Sequence, residues 1–304
     1  MIKSITITNH LGQSIELELG FPEKSGFLIQ SIEGLGPVKA TINAAELSTM
    51  DGSIYNSARV SSRNIVLSLA LLEKPTIETT RQLSYKYFPI KKRIKFLIET
   101  DNRLAEIYGY VESNEPDIFS KQETSRISIV CPNPYFYSSG INGEQVTIFT
   151  GFEKMFEFPW SNESITEKLI EVGDILKNET QTVYYLGDGD VGITIEMYAM
   201  GGVENVTIAN LTTSETMKID TDKLATLTGS AIILGDAIFI STVKGEKSIE
   251  LLRDGVYINI LNCLDKDVSW FQLVKGDNVF NFSAEECAAF LYFRIKNKIV
   301  YEGV

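Results

Sequence analysis

The sequence predicts a mainly β protein of two domains, and three observations support this fold class. Apolar and polar residues alternate with a period of two in many short stretches, which are separated by turns rich in Gly, Asn and Asp. The 304 residues are enough for two domains that each bury a core. Charge is also divided unevenly, because residues 1–140 have no net charge while the remainder carries the whole −12.

The boundary between the two domains is predicted from the stretch Thr124–Tyr137. It begins with the alternation of a strand, and Pro132 and Pro134 then end that strand because proline cannot donate a backbone hydrogen bond. The residues that follow are rich in Ser, Gly and Asn, a composition typical of linkers. We therefore predict one domain over residues 1–137 and a second over residues 138–304.

The first domain is predicted to contain strands and one helix. The predicted strands are Ile2–Thr8, Ser14–Leu19, Phe27–Ile32, Arg63–Leu72, Ile90–Thr100 and Arg103–Ser113. A helix is predicted over Ile77–Phe88, because apolar residues recur there on one helical face between Pro75 and Pro89. The last two strands are predicted to form a long hairpin.

The second domain is predicted to be a β-sandwich or a jelly roll, because short strands alternate with turns. The predicted strands are Val146–Phe158, Thr182–Leu186, Gly192–Met200, Glu204–Asn210, Glu215–Ile219, Ala231–Ser241, Lys247–Leu252, Val268–Leu273 and Asn278–Ser283. Leu291–Tyr301 predicts one or two closing strands, and Ser164–Leu176 fits either a helical turn or a strand.

The sequence offers no catalytic residue, metal site or cofactor site. His10 is the only histidine, so sites with several histidines are excluded and a Ser-His-Asp arrangement is disfavoured. Gly187–Gly192 matches GxGxxG, but a strand pattern follows it and its two aspartates would repel phosphates. A calcium loop remains an alternative for this segment, although the spacing departs from an EF-hand. A non-enzymatic protein is therefore predicted.

Charge and apolar patterning limit the partners. The acidic second half argues against nucleic-acid binding, and the basic cluster Lys91–Lys95 fits an edge protected by lysines better than a nucleic-acid patch. No apolar run approaches the length of a membrane span, and no secretory signal is visible. Cys131, Cys263 and Cys287 lie far apart, which indicates reduced thiols and assembly in a cytoplasm.

Aromatic residues of the second half offer a carbohydrate-binding face as one possibility. Tyr184, Tyr185 and Trp270, with Trp160 and Tyr292, could stack on sugar rings. Aromatic residues at strand spacing belong to the core more often, so this face is the weaker alternative.

Several motifs follow one another in a distinctive order along the chain. In the first half these are SIEGLGPVKATI (Ser31–Ile42), DGSIYNSARVSSRNIVLSLAL (Asp51–Leu71), KYFP (Lys86–Pro89) and ISIVCPNPYFY (Ile127–Tyr137). In the second half they are FEFPWSNES (Phe156–Ser164), the stretch Gly187–Asp220 and WFQLVKGDNVFNF (Trp270–Phe282). Their order resembles the distal tail (Dit) protein family of long-tailed phages and prophages of Gram-positive bacteria, and the resemblance spans nearly the whole chain.

The resemblance implies a structural protein of the virion tail tip. The N-terminal domain is expected to form a hexameric ring, with a galectin-like β-sandwich as the C-terminal domain. Such a ring joins the tail tube protein to a hub or lysin protein and can carry receptor-binding proteins. We expect the hairpin Ile90–Ser113 to contact neighbouring subunits. A carbohydrate-binding adsorption module is the alternative function, and a wall hydrolase is a third, disfavoured class.

Overall fold

The structure is a computed structural model that describes residues 1–46, 51–140, 143–153, 174–177, 180–285 and 291–304, without the side chains of 150–153 and 174–177. The chain divides into two compact units. The first unit is Met1–Gly143 together with Val300–Val304, and the second is Glu144–Ile299. The predicted domain limits stay a prediction, and these units differ from them near residue 140 and at the last five residues.

The first unit is built on a long antiparallel sheet with one helix. Its elements are β1 (Ile2–Thr8), β2 (Ser14–Glu18), β3 (Phe27–Glu33), β4 (Ala40–Glu46), β5 (Ser53–Val60), β6 (Arg63–Leu71), α1 (Ile77–Tyr87), β7 (Arg93–Thr100), β8 (Leu104–Asp117), β9 (Thr124–Cys131) and β10 (Phe136–Ser138), with a 3₁₀ turn at Pro22–Lys24. The main sheet has the order β2-β1-β7-β8-β9-β6-β3. Strands β4 and β5 form a separate two-stranded sheet.

Alternating apolar residues give this sheet its core. Ile65 and Leu67 of β6 and Ile127 and Ile129 of β9 are completely buried, as their period of two predicts. Helix α1 begins where Thr76 Oγ1 accepts a hydrogen bond from the Thr79 amide at 3.2 Å. Ile77, Leu83 and Tyr87 on one face of the helix pack against the core.

In its described residues, the second unit contains two larger sheets and one helix. Its elements are β11 (Glu144–Ile148), β12 (Thr150–Glu153), β13 (Asp174–Lys177), β14 (Thr180–Tyr185), β15 (Val191–Gly192), β16 (Thr194–Ala199), β17 (Thr207–Asn210), β18 (Glu215–Lys218), α2 (Thr221–Thr228), β19 (Ala237–Ser241), β20 (Ser248–Arg253), β21 (Val256–Asn259), β22 (Gln272–Leu273), β23 (Gly276–Ser283) and β24 (Leu291–Lys298), with a 3₁₀ turn at Leu261–Cys263. The six-stranded sheet has the order β11-β24-β16-β19-β20-β21, and the four-stranded sheet has the order β14-β23-β17-β18. Strand β25 (Val300–Tyr301), which pairs with β10, belongs to the first unit.

Aromatic side chains join the two larger sheets of the second unit. Phe282 of β23 stacks on Phe293 of β24 with ring centroids 4.9 Å apart. Phe149 meets the edge of the same cluster, 4.8 Å from Phe293. The two sheets therefore pack face to face as a sandwich, which confirms the predicted fold class.

Most predicted elements are confirmed, but several bounds differ. Strands β4, β5, β10 and β21 and helix α2 were not predicted. The predicted strand Ala231–Ser241 begins only at Ala237, and of Val268–Leu273 only Gln272–Leu273 forms a strand. The first strand of the predicted hairpin begins at Arg93 instead of Ile90, because Lys91 has a φ of 65° and the Lys92 amide closes a turn onto Pro89. Residues 154–158 of one predicted strand, residues 164–173 of the ambiguous segment and Trp160 lie outside the described residues.

Candidate assembly interface

Strands β4 and β5 form a hairpin that we call the arm. Each pairs only with the other, and every residue of both strands is exposed. A two-stranded hairpin alone is only marginally stable in water. The arm is therefore the part of the described chain where an external contact would add most to stability.

The arm has one apolar face and one mostly polar face. The strand register places Ala40 opposite Val60, Ile42 opposite Ala58 and Ala44 opposite Tyr55 on one face. On the other face, Thr41 lies opposite Arg59 and Asn43 opposite Ser57, with Ala45 and Ile54 nearer the tip. Ile42 and Tyr55 are 65% and 64% exposed. Contiguous exposed apolar surface of this kind marks interaction sites in soluble proteins.

The hairpin predicted to contact neighbouring subunits lies in the interior of the main sheet. Its strands β7 and β8 are flanked by β1 and β9, so neither has a free backbone edge. A neighbouring subunit could contact only the side chains of this hairpin, among them the half-exposed Tyr108 and Tyr110. The Arg93 guanidinium lies 4.2 Å from the centre of the Tyr108 ring. The role of this hairpin in subunit contacts stays a prediction.

The basic cluster at the start of that hairpin is partly neutralised. Lys95 Nζ lies 2.6 Å from the buried carboxylate of Glu106. Burial opposes the charge of Lys95, but the hydrogen bond that Lys95 donates to Glu106, the negative charge of Glu106 and the nearby Tyr108 together outweigh burial and raise the pKa of the lysine. Because β7 lies between β1 and β8, the cluster does not protect a free sheet edge as predicted, and its lysines belong to a solvated sheet surface.

Of the three residues predicted to form a carbohydrate-binding face, only Tyr184 and Trp270 are accessible to solvent. Tyr184 is 54% exposed, whereas its neighbour Tyr185 is fully buried and donates a hydrogen bond to the Gly189 carbonyl at 2.8 Å. Adjacent residues of a strand point to opposite faces, so Tyr185 takes no part in an exposed surface. Trp270 is half-buried beside Lys247 and precedes β22, in a different sheet from Tyr184.

The segment Gly187–Gly192 bends at Asp188–Gly189 and then enters β15. Lys275 Nζ lies 3.5 Å from the carboxylate of Asp188, and the buried Tyr185 hydroxyl contacts the same turn. Across the described ranges, no three His, Cys, Asp or Glu side chains are grouped so as to hold a metal ion. No helix in the described part of the chain is long and apolar enough to cross a membrane.

A row of aromatic residues crosses the outer face of the six-stranded sheet and was not predicted. Tyr292, Tyr198, Phe239 and Tyr257 lie on β24, β16, β19 and β21, with successive ring centroids 6.4, 6.1 and 6.1 Å apart. Tyr257 is exposed and the other three are half-buried. The signal in the sequence is one aromatic residue at an outward position of four of the six strands, which becomes visible only when the strand register is known.

Charged groups flank this row. Lys296 and Arg294 both form ion pairs with Glu196, and the Lys296 pair measures 2.7 Å. Burial opposes ionisation of Glu196, but the hydrogen bonds from the two cations outweigh it and lower the pKa of the carboxyl group. Arg294 also donates a hydrogen bond to the Tyr198 hydroxyl at 3.0 Å.

Comparison with known proteins shows which solved structures have a similar fold. No protein-family model and no curated protein match the sequence. The chain is similar to the crystal structure of the Dit (gp 19.1) protein of phage SPP1, described as a paradigm of the hub adsorption apparatus in phages infecting Gram-positive bacteria. The TM-score is 0.67 and the identity is 11%, over 98% of this chain and 99% of the other. The chain has the fold of a Dit protein.

A second structural neighbour comes from a phage baseplate. A chain of the phage P2 baseplate in its activated conformation with Ca matches with a TM-score of 0.51 and 9% identity, over 98% of both chains. Identities this low establish the fold alone. The resemblance to Dit proteins seen in the sequence is thus confirmed by the fold.

Proposed function

We propose that this protein is a structural hub of a phage tail tip, whose copies form a closed hexameric ring between the tail tube and the host-adsorption apparatus. The arm is the observation that carries the proposal. Its apolar face is solvent-exposed in the single chain, and burying it against another copy would stabilise both. The Dit fold supports this role, which requires no catalysis.

If the arm of one copy docks on a different surface of the next copy, the copies form a ring and not a symmetric dimer. An arm that docks on a different surface of the next copy makes a heterologous contact, and such contacts close into a ring when the rotation permits. Residues 1–140 carry no net charge, so copies packed through the first unit would not repel one another. The negative charge of the chain lies in the residues that follow.

The proposed partners are the tail tube protein, a tail-associated hub or lysin protein and receptor-binding proteins. The match to a chain of the phage P2 baseplate supports an assembled setting of this kind. The proposed location is the tip of the virion tail, after assembly in the cytoplasm of a bacterial host.

The first test is the mass of the protein in solution, measured by light scattering over a range of concentrations. We expect a hexamer, or a monomer–hexamer mixture, for the natural sequence. Changing the apolar face of the arm by Ile42→Ser with Tyr55→Ser should give a monomer, because the buried apolar area is lost.

Changes on the polar face supply the matched control. Asn43→Ala and Ser57→Ala remove an exposed hydrogen bond of 3.1 Å within the arm and should leave the mass unchanged. A natural protein that stays monomeric at every concentration would contradict a self-assembled ring. A hexamer that survives both apolar changes would show that the arm is not its interface.

Carbohydrate binding at the bacterial surface is the second candidate, and the aromatic row on the six-stranded sheet favours it. Half-exposed tyrosines beside an ion-paired carboxylate offer ring faces for stacking and polar groups for hydroxyls. This row replaces the predicted combination of Tyr184, Tyr185 and Trp270, since Tyr185 is buried.

Glycan-array and cell-wall pulldown measurements on the full chain test this candidate. We expect Tyr257→Ala to weaken binding at least about tenfold, as loss of one stacking side chain does. Tyr110→Ala, which removes an exposed tyrosine of the first unit, is the control. Loss of binding in Tyr184→Ala or Trp270→Ala alone would move the site to the face predicted from the sequence, and no binding at all would reject the candidate.

A further inference from the structure

We propose that Arg63 is a clamp through which residues Val300–Val304 hold the base of the arm. The position of the arm then depends on the segment that follows the second unit. The inference rests on contacts within the first unit and holds whether or not the arm builds a ring.

The Arg63 side chain is buried and binds three separate segments of backbone. Its Nε donates to the Pro134 carbonyl at 2.6 Å, and Nη1 donates to the carbonyls of Gly34 and, at 2.6 Å, Gly36. Nη2 donates to the Glu302 carbonyl at 2.5 Å. Arg63 is 2% exposed, and its acceptors within the described ranges are all backbone carbonyls.

These contacts join the two ends of the arm. Gly34 and Gly36 lie in the segment that leads into β4, and Arg63 begins β6 directly after the arm. Gly34 has a φ of 85°, and a Cβ atom there would lie 2.1 Å from the Asn64 carbonyl oxygen. The entry into the arm is therefore held tightly against the strand that leaves it.

Residues Val300–Val304 form the third side of the clamp. Tyr301 pairs with Phe136 in the β10–β25 ribbon, and the Val304 amide donates to the Leu35 carbonyl at 3.2 Å. The Arg63 guanidinium lies 4.5 Å from the centre of the Phe136 ring. The segment thus contacts the entry of the arm both directly and through Arg63.

Only arginine can make this arrangement. A guanidinium presents five donors in a rigid plane, whereas a lysine ammonium presents three donors at one point and cannot span four carbonyls. Releasing Glu302 leaves a buried cation with one acceptor fewer, which weakens its hold on Gly34 and Gly36. Since Val300 directly follows the last residue of the second unit, movement of the chain there reaches the arm by this route.

Hydrogen–deuterium exchange read by mass spectrometry tests the proposal on the full chain. Deletion of residues 302–304 should speed exchange of the paired amides at the base of the arm, residues 40–43 and 57–60, at least about tenfold, with no change in peptides of the second unit. Arg63→Lys should act on the same residues. Arg126→Lys, at an exposed arginine of β9 in the same sheet, should leave exchange unchanged.

Two outcomes would overturn the clamp. Unchanged exchange at residues 40–43 and 57–60 after the deletion would show that residues 302–304 do not hold the arm, whatever Arg63→Lys does. Equal acceleration throughout the first unit would show general loosening of the sheet. If Arg63→Lys fails to fold, the deletion alone decides between these results.

Discussion

The arm strand β5 and the core strand β6 are neighbours in sequence with opposite environments. Only two residues separate Val60, the last residue of β5, from Arg63, the first of β6. In β6, Ile65 and Leu67 are completely buried, whereas every residue of β5 is exposed. Both strands present an apolar face. The difference shows that an apolar face indicates a need for burial without indicating whether the partner is the same chain.

The largest expected difference between the core strand and the arm is in how much a substitution to alanine lowers the free energy of unfolding. Leu67→Ala should lower the free energy of unfolding of the first unit by about 2–5 kcal/mol, because it removes methyl groups from a packed core. Ile42→Ala should lower it by less than about 0.5 kcal/mol in the monomer, as for other exposed positions. Urea denaturation at low protein concentration measures both values. Equal losses would mean that the arm packs on its own chain and would break the comparison.

A smaller effect, on thiol reactivity, sharpens the comparison. Burial raises the pKa of Cys131 in the core strand β9 to about 11, so its thiol should react with a disulfide reagent at pH 8 only after unfolding. Cys263 is also buried, and burial raises its pKa too. A cysteine introduced on the arm by Ala58→Cys should react at least about a hundredfold faster than Cys131 in the monomer.

The reactivity experiment carries its own controls. Cys287 lies outside the described residues, so Cys287→Ser belongs in both proteins compared. In the assembled state the thiol from Ala58→Cys should become protected if the apolar face of the arm is covered. Rapid reaction of Cys131 in the folded protein would contradict the buried position of β9.

The sequence predicted the elements whose own residues provide the signal. Strand β9 alternates over its whole length, β1 alternates from Ser4 to Thr8, and β6 is a long apolar run. Helix α1 lies between two prolines and begins with a threonine cap. Each of these elements is buried on one face by the core of the same unit. Local pattern and tertiary packing therefore agree, and the predictions are confirmed.

The arm and α2 were missed for different reasons. The arm is rich in Ala, Asn and Ser, which have low strand preference, and no burial pattern marks it. Helix α2 did carry signals, because Asp220 accepts hydrogen bonds from the amides of Asp222 and Lys223 and Gly229 ends the helix with a φ of 88°. These cap residues are visible in the sequence, so α2 was predictable from it.

The clamp at Arg63 could not be predicted from any local pattern. Its acceptors are carbonyl groups, which every residue has, and they come from segments up to 239 positions away in the chain. An arginine at the start of an apolar strand gives no sign of being buried. Only the topology that brings residues 34–36, 134 and 302 together reveals its role.

The pairing of β10 with β25 has a consequence for how the chain can diversify. The first unit is discontinuous, and Glu144–Ile299 is inserted between two hydrogen-bonded strands, in the place of a hairpin loop. Because the chain leaves and re-enters through adjacent strands, the insert can be exchanged for a different module or shortened to a turn without altering the host sheet. One host sheet could in this way carry different inserted modules.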